Sequence, residues 1–192
     1  MQPEPACQGN GPSTAIHMKT DTPLRPSLRG LRDDEVGYAY EIYLQACAWL
    51  KGKGVRQWLT PKPRATFDER QERGENFGLF LGSDLAAIVT LSLEVHEHWR
   101  GELGGEGRWW LHTLAVAPGF RGRRLGGEAV AAAASLLRSK GALELLLDCG
   151  ADGILPGYYG RLGFHALANK AITYPSGNTY PIALMRLALA PG

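Results

Sequence analysis

From Asp33 onward, apolar residues return at helical spacing, with Val36, Tyr40, Tyr43, Cys47 and Leu50 on one face. Asp33 or Asp34 can cap this helix, acidic residues fill its first turn, and the glycines of KGKG, residues 51 to 54, end it. A second, shorter helix is predicted from Pro63 through Arg73, rich in Glu and Arg and closed by Gly74. The period then changes. FGLFLG (77 to 82), a Ser83-Asp84 turn and LAAIVTLSLEV (85 to 95) read as a hairpin of β-branched and aliphatic residues. The polar, glycine-containing loop HEHWRGELGGEGR (96 to 108) leads to another strand, WWLHTLAV (109 to 116). An alanine-rich helix is expected from about Leu125 to Lys140, with Leu125, Ala129, Ala132 or Ala133, and Leu136 in its stripe and Gly141 as its stop. LELLLDC (143 to 149) is almost continuously apolar and reads as a buried central strand. ILPGYYGRLGF follows as a short helix ending at Gly163, and the last strand falls within TYPIALMRLAL, residues 179 to 189. There is no internal repeat.

Composition narrows the class of protein. A chain of 192 residues, 44% hydrophobic, suits one domain with a substantial core. We expect that domain over residues 23 to 192, after a disordered tail over 1 to 22 that is rich in Pro, Gly, Ser and Thr. Met18 opens more ordinary sequence and is a candidate translation start. The net charge of +2 gives no protein-wide field for nucleic acid, so a small-molecule partner is expected, with no nucleic acid and no membrane. No apolar run approaches the ~20 residues of a membrane span, and the N-terminus lacks the apolar core of a secretion signal. Cys7, Cys47 and Cys149 are odd in number and far apart, which fits idle thiols in a reducing cytoplasm.

The chemistry concentrates in LAVAPGFRGRRLGGEAV, residues 114 to 130. A strand, a glycine-rich turn and a helix start present unpaired amides and the positive end of a helix dipole, an arrangement that holds phosphate. Gly122, Gly126 and Gly127 give the room such a nest requires, and Arg121, Arg123 and Arg124 can add charge-assisted bonds. One dipole supplies only roughly 0.3–1 kcal/mol, so several donors must act together, which favours a diphosphate over a lone carboxylate. The lysine-containing loop of nucleoside-triphosphate enzymes and the dinucleotide G-x-G-x-x-G are both absent, which disfavours ATP and NAD.

VAPGFRGRRLGG resembles the pyrophosphate-binding motif of the GNAT superfamily of acetyl-CoA-dependent N-acyltransferases: Gln or Arg, two residues, Gly or Ala, one residue, Gly or Ala. Arg121, Gly122, Arg123, Arg124, Leu125 and Gly126 fall on it, with Arg124 standing where the first Gly or Ala is usual. YYGRLGF (158 to 164) resembles the second landmark, a Tyr followed four and five residues later by Gly-Phe, and KGKGVRQW resembles the family's N-terminal region. The resemblance covers roughly residues 24 to 189. It implies an α+β (α/β three-layer) fold with a mixed, mostly antiparallel sheet and helices on both faces, in which a bulge in the fourth strand splays it from the fifth. It implies that backbone groups of Leu114, Ala115 and Val116 hold pantetheine, that Arg121 to Gly127 hold the pyrophosphate, and that acetyl-CoA is the acyl donor without a metal. Asp152 lies where many relatives have an Asn that contacts the cofactor. Homodimers are common in the superfamily.

The implied reaction is acetyl transfer to a primary amine by direct attack in a ternary complex. A lysine-like amine, pKa ~10.4, is neutral about once in 2500 molecules at pH 7, whereas an α-amino group, pKa ~8, is neutral about once in ten. Tyr159 matches the family's general acid and contact to the departing sulfur. Tyr158 competes for that place, since neighbours on a helix diverge by about 100°. Glu94 and His112 are candidate bases, and Glu97, Glu102 and Glu106 could attract a cationic acceptor. His96 and His98 would suggest a metal only with a third converging ligand. Two other readings stay open: a coenzyme A-binding module without turnover, and an acetyltransferase acting on proteins.

Overall fold

The computed structural model describes residues 25–101, 106–173, 177 and 179–189. The expected tail, Met18, Cys7 and Glu102 lie outside these residues. The elements run β1 (Ser27–Gly30), α1 (Val36–Gly52), α2 (Arg64–Glu72), β2 (Asn76–Leu81), β3 (Asp84–Ser92), β4 (Arg108–Val116), α3 (Leu125–Ser139), β5 (Glu144–Gly150), α4 (Leu155–Arg161), β6 (His165–Thr173) and β7 (Thr179–Ala188). All seven strands form one sheet in the order β1-β2-β3-β4-β5-β7-β6, and every neighbouring pair is antiparallel except β4 with β5.

Helices cover both faces. On one side α3 buries Leu125, Ala129, Ala133 and Leu137 against Leu145, Leu147 and Cys149 of β5, and Leu155 and Tyr159 of α4, with Leu162 just after it, pack on the same cluster. The stripe ends on Leu137 instead of the expected Leu136, because four residues beyond Ala133 keeps the same face. On the other side α1 buries Val36, Ala39, Ile42, Tyr43, Ala46 and Cys47 against Phe67 of α2 and Phe80, Leu85, Ile88 and Ala115 of the sheet. Leu146 of β5 points away from α3 into a third cluster with Trp99, Trp110, Ile182 and Leu184. Cys47 and Cys149 are free and buried. No helix of the described residues is long and apolar enough to cross a membrane.

Three expectations need correction. The hairpin turn is Gly82-Ser83, with Leu81 paired to Asp84 and Gly82 at φ 62, the left-handed geometry a two-residue hairpin requires. β1 and β6 were not expected. Both are edge strands, and β6, HALANKAIT, is exposed along most of its length, so neither shows an apolar period and both depend on sheet pairing.

The sheet opens in the middle. β4 and β5 pair only from Arg108–Glu144 to Trp110–Leu146; beyond that β4 continues along β3 and β5 along β7. Thr113 pairs with Thr90 and Leu111 with Leu91, so His112 is the extra residue of a β-bulge located where the two strands part. A bulge bends its strand and increases the local twist, which turns β4 away from β5.

Candidate active site

The far end of the gap is built from backbone. After β4, Ala117 N–H donates to Ala86 O at 2.9 Å and a short helical turn spans Pro118–Phe120. Gly122 at φ 79 and Arg124 at φ 61 are both left-handed, and the N–H groups of Gly127 and Glu128 return to Arg124 O at 3.0 and 3.2 Å. The amides ahead of Gly127 are therefore not used by α3 and form a concave row at its N-terminus. Arg124 keeps the backbone shape that a glycine supplies, at a cost of roughly 1–2 kcal/mol. Its side chain is exposed, as is that of Arg123, whose guanidinium lies 5.4 Å over Phe120. Arg121 turns away from the row: its Nε donates to Val116 O and its Nη2 to Gln45 O, each at 3.3 Å, and it stacks 5.1 Å over Trp49. Its side chain tethers the turn to α1.

The two tyrosines of α4 have different surroundings. A Cβ on Gly126 would run into Tyr158 Oη and lie 3.6 Å from Val116, so Tyr158 stands over the start of α3 and must shift if a side chain is placed beneath it. Tyr159 packs edge-on to Tyr158 and Phe164 and joins the core cluster beside Cys149. Burial, then the neighbouring Cys149, Tyr158 and Asp148, push its phenol above the usual range, so it keeps its proton at neutral pH.

At the near end, side chains converge on a cavity of about 230 Å³ whose walls include Lys62, Arg70, Glu94, His96, Glu97 and His112. His112 Nε2 lies 2.8 Å from Ser92 Oγ, while its Nδ1 is buried without a hydrogen-bond partner. Burial, with Arg70 and His96 nearby, pulls its pKa down to about 2. His96 stacks on it at 5.6 Å, and burial, then Lys62, lowers its pKa to about 3. Both imidazoles are neutral. His96 Nδ1 lies 3.1 Å from Asp148 Oδ2 without hydrogen-bond geometry, and that oxygen accepts from Trp99 Nε1 at 3.1 Å. Burial raises the Asp148 pKa.

Several expected site residues thus lie along β4 and the turn after it: Leu114 to Val116 on the wall of the gap, the turn to Gly127, and His112 at the bulge; Tyr159 of α4 packs against the core beside Cys149. Others are engaged elsewhere. Glu94 lies two residues beyond β3, with Arg100 Nη2 2.6 Å from its Oε1 and Arg73 Nη2 3.9 Å from its Oε2. Asp152 is ion-paired with Arg56. Among the described residues no cluster of three or more His, Cys, Asp or Glu side chains could hold a metal. Asp148 and Lys62 were missed. Asp148 interrupts an apolar strand and was the one available signal; nothing in the sequence joins Lys62 to β4.

Solved N-acetyltransferases share this fold. The chain is similar to the Escherichia coli ribosomal-protein-S18-alanine N-acetyltransferase, at TM-score 0.65 and 20% identity over 88% of this chain and 96% of that one. It is similar to a GNAT-family acetyltransferase of Listeria monocytogenes, at TM-score 0.69 and 20% identity over 85% and 95%. It is also similar to the PaiA N-acetyltransferase of Thermoplasma acidophilum in complex with coenzyme A, at TM-score 0.62 and 16% identity over 85% and 99%. No curated protein matches the chain. Residues 38–164 match the acetyltransferase (GNAT) family, and the chain belongs to it.

Proposed function

We propose that the protein transfers the acetyl group of acetyl-CoA to the primary amine of a small molecule by direct attack in a ternary complex. The observation that carries this reading is the gap itself, which begins at the His112 bulge, has the amide row at one end and leaves one edge of β4 unpaired. An unpaired strand edge offers N–H and C=O groups that pantetheine amides can satisfy. The row from Gly122 to Gly126 fits a diphosphate, and a relative of the same fold was solved with coenzyme A.

The amine enters from the near cavity, whose small volume suits a metabolite. With Nε2 bonded to Ser92, His112 has Nδ1 free to accept an N–H of the amine and orient its lone pair. A histidine of pKa about 2 stores no proton, and Glu94 is held by arginines. The proton released by the amine goes to Asp148, a carboxylate beside His96 whose pKa burial raises. The amine nitrogen bonds to the acetyl carbon, the carbon–sulfur bond breaks, and the sulfur leaves with the electron pair. Tyr159 Oη donates a hydrogen bond to that sulfur. Complete transfer to a thiolate of pKa ~8.5 from a phenol above ~10 is uphill by at least about 2 kcal/mol. Tyr158, over Gly126, lies nearer the diphosphate end. The reaction needs no metal, and a cytoplasmic setting supplies acetyl-CoA.

A thiol-release screen of acetyl-CoA against free amines tests the reading, with native mass spectrometry for bound coenzyme A. Thiol release with at least one amine is expected. Coenzyme A binding without release from any amine would instead define a non-catalytic module.

A further inference from the structure

The arginines of the acceptor cavity already have carboxylate partners. Arg70 Nη1 lies 2.8 Å from Glu75 Oε2, Arg73 Nε 3.0 Å from Glu75 Oε1, and Arg100 Nη2 2.6 Å from Glu94 Oε1. Lys62 lines the same cavity and has no ion pair with any described residue. It is nonetheless firmly mounted. Pro61 and Pro63 flank it and fix their own φ angles. Its N–H donates to Tyr43 Oη at 3.0 Å, and its carbonyl accepts from Tyr40 Oη at 3.0 Å. Tyr43 is buried in the α1 core, so the pedestal does not depend on the lysine side chain.

A half-buried cation on a rigid mount, without an ion pair among the described residues and with Glu97, Asp148 and Glu94 near enough to be felt but not in contact, is set for an anion brought by a ligand. Burial, then Arg70, pull its pKa below the usual lysine range, an effect that a bound carboxylate would reverse. The charges of the walls nearly balance, with Lys62, Arg70, Arg73 and Arg100 against Glu69, Glu94 and Glu97 and with Glu75 behind two of the arginines, so the cavity has no acidic excess to favour a polycationic acceptor.

On the transfer reading above, we propose that Lys62 is the carboxylate anchor of the acceptor subsite and that the substrate is a small amino acid. Its carboxylate pairs with Lys62 Nζ while its amine faces His112 at the opening of the gap. Lys62 and His112 line this one cavity of about 230 Å³ and the Lys62 charge is felt at His112, so one small molecule in it can meet both.

The test compares the standard amino acids with their methyl esters as acceptors, using the full-length wild type and the Lys62→Met and Lys62→Arg variants, with thermal melts confirming that each folds. The wild type should favour an acid over its ester at least tenfold in kcat/KM. Lys62→Met should remove that preference by raising KM for the acid, and Lys62→Arg should restore part of it. Esters turned over as well as acids by the wild type would overturn the anchor while leaving acetyl transfer intact. Equal loss on both acceptors in Lys62→Met would also overturn it, as would acetylation of Lys62 itself, seen by peptide mass spectrometry after incubation with acetyl-CoA alone. No thiol release from any amine would remove the transfer reading beneath it.

Discussion

At its C-terminal end β4 runs into one contiguous stretch, Val116 to Gly127, where the backbone is the proposed binding surface. At His112 the same strand meets side chains gathered from the α1–α2 loop, α2, the β3–β4 loop and β5. The first region tolerates a change of side chain if the dihedral angles survive, which is how Arg124 stands at φ 61 where a small residue is usual. The second has no such freedom, because its geometry exists only after the sheet has brought distant segments together.

The largest effect that would break this contrast is at the acid. Tyr159→Phe should lower kcat at least 100-fold, within the range for a positioned proton donor, and leave the Kd for acetyl-CoA within about twofold. Equal losses from Tyr158→Phe would reassign the role. Gly126→Val attacks the backbone end instead. Its Cβ must displace the Tyr158 hydroxyl, an overpacking of about 1–3 kcal/mol, and calorimetry should show acetyl-CoA binding weakened roughly 5- to 100-fold.

Acid should act on the other end. His112 and His96 have folded pKa values of about 2 and about 3, below the ~6.5 of an unfolded histidine. Below pH ~6.5 the unfolded chain takes up protons that the fold refuses, so stability present above that pH is lost as pH falls. Each histidine withdraws up to about 2 kcal/mol between pH 6.5 and 5. Urea titrations should show the loss, and His112→Gln should remove about half of it; an unchanged acid limb would contradict burial of a neutral His112. The smallest effect returns to the turn. Arg124→Gly relieves about 1 kcal/mol of left-handed strain and should raise Tm by roughly 2–4 °C. A fall in Tm, or weakened acetyl-CoA binding, would show the arginine contributing a contact.

The same contrast explains what could be read from the chain. The glycine-punctuated turn, α1, α3 and the apolar strand β5 are local patterns, so the turn between β4 and α3 was legible down to the anomaly at Arg124. The His112 bulge was not, since two-for-one pairing with β3 leaves no mark on WWLHTLAV. Asp148 was visible as a polar residue in LELLLDC, but its approach to His96 depends on the β3–β4 loop folding across the gap. β6 carries too little apolar character to announce a strand.

The most direct test of how the two ends work together is a crystal structure of the protein with acetyl-CoA. The account predicts the diphosphate on the amides of Gly122 to Gly126, pantetheine along the unpaired edge of β4, and the sulfur within about 3.5 Å of Tyr159 Oη, with the acetyl group facing His112. A thioester lodged outside the gap, or with its sulfur on Tyr158 Oη instead of Tyr159 Oη, would contradict it.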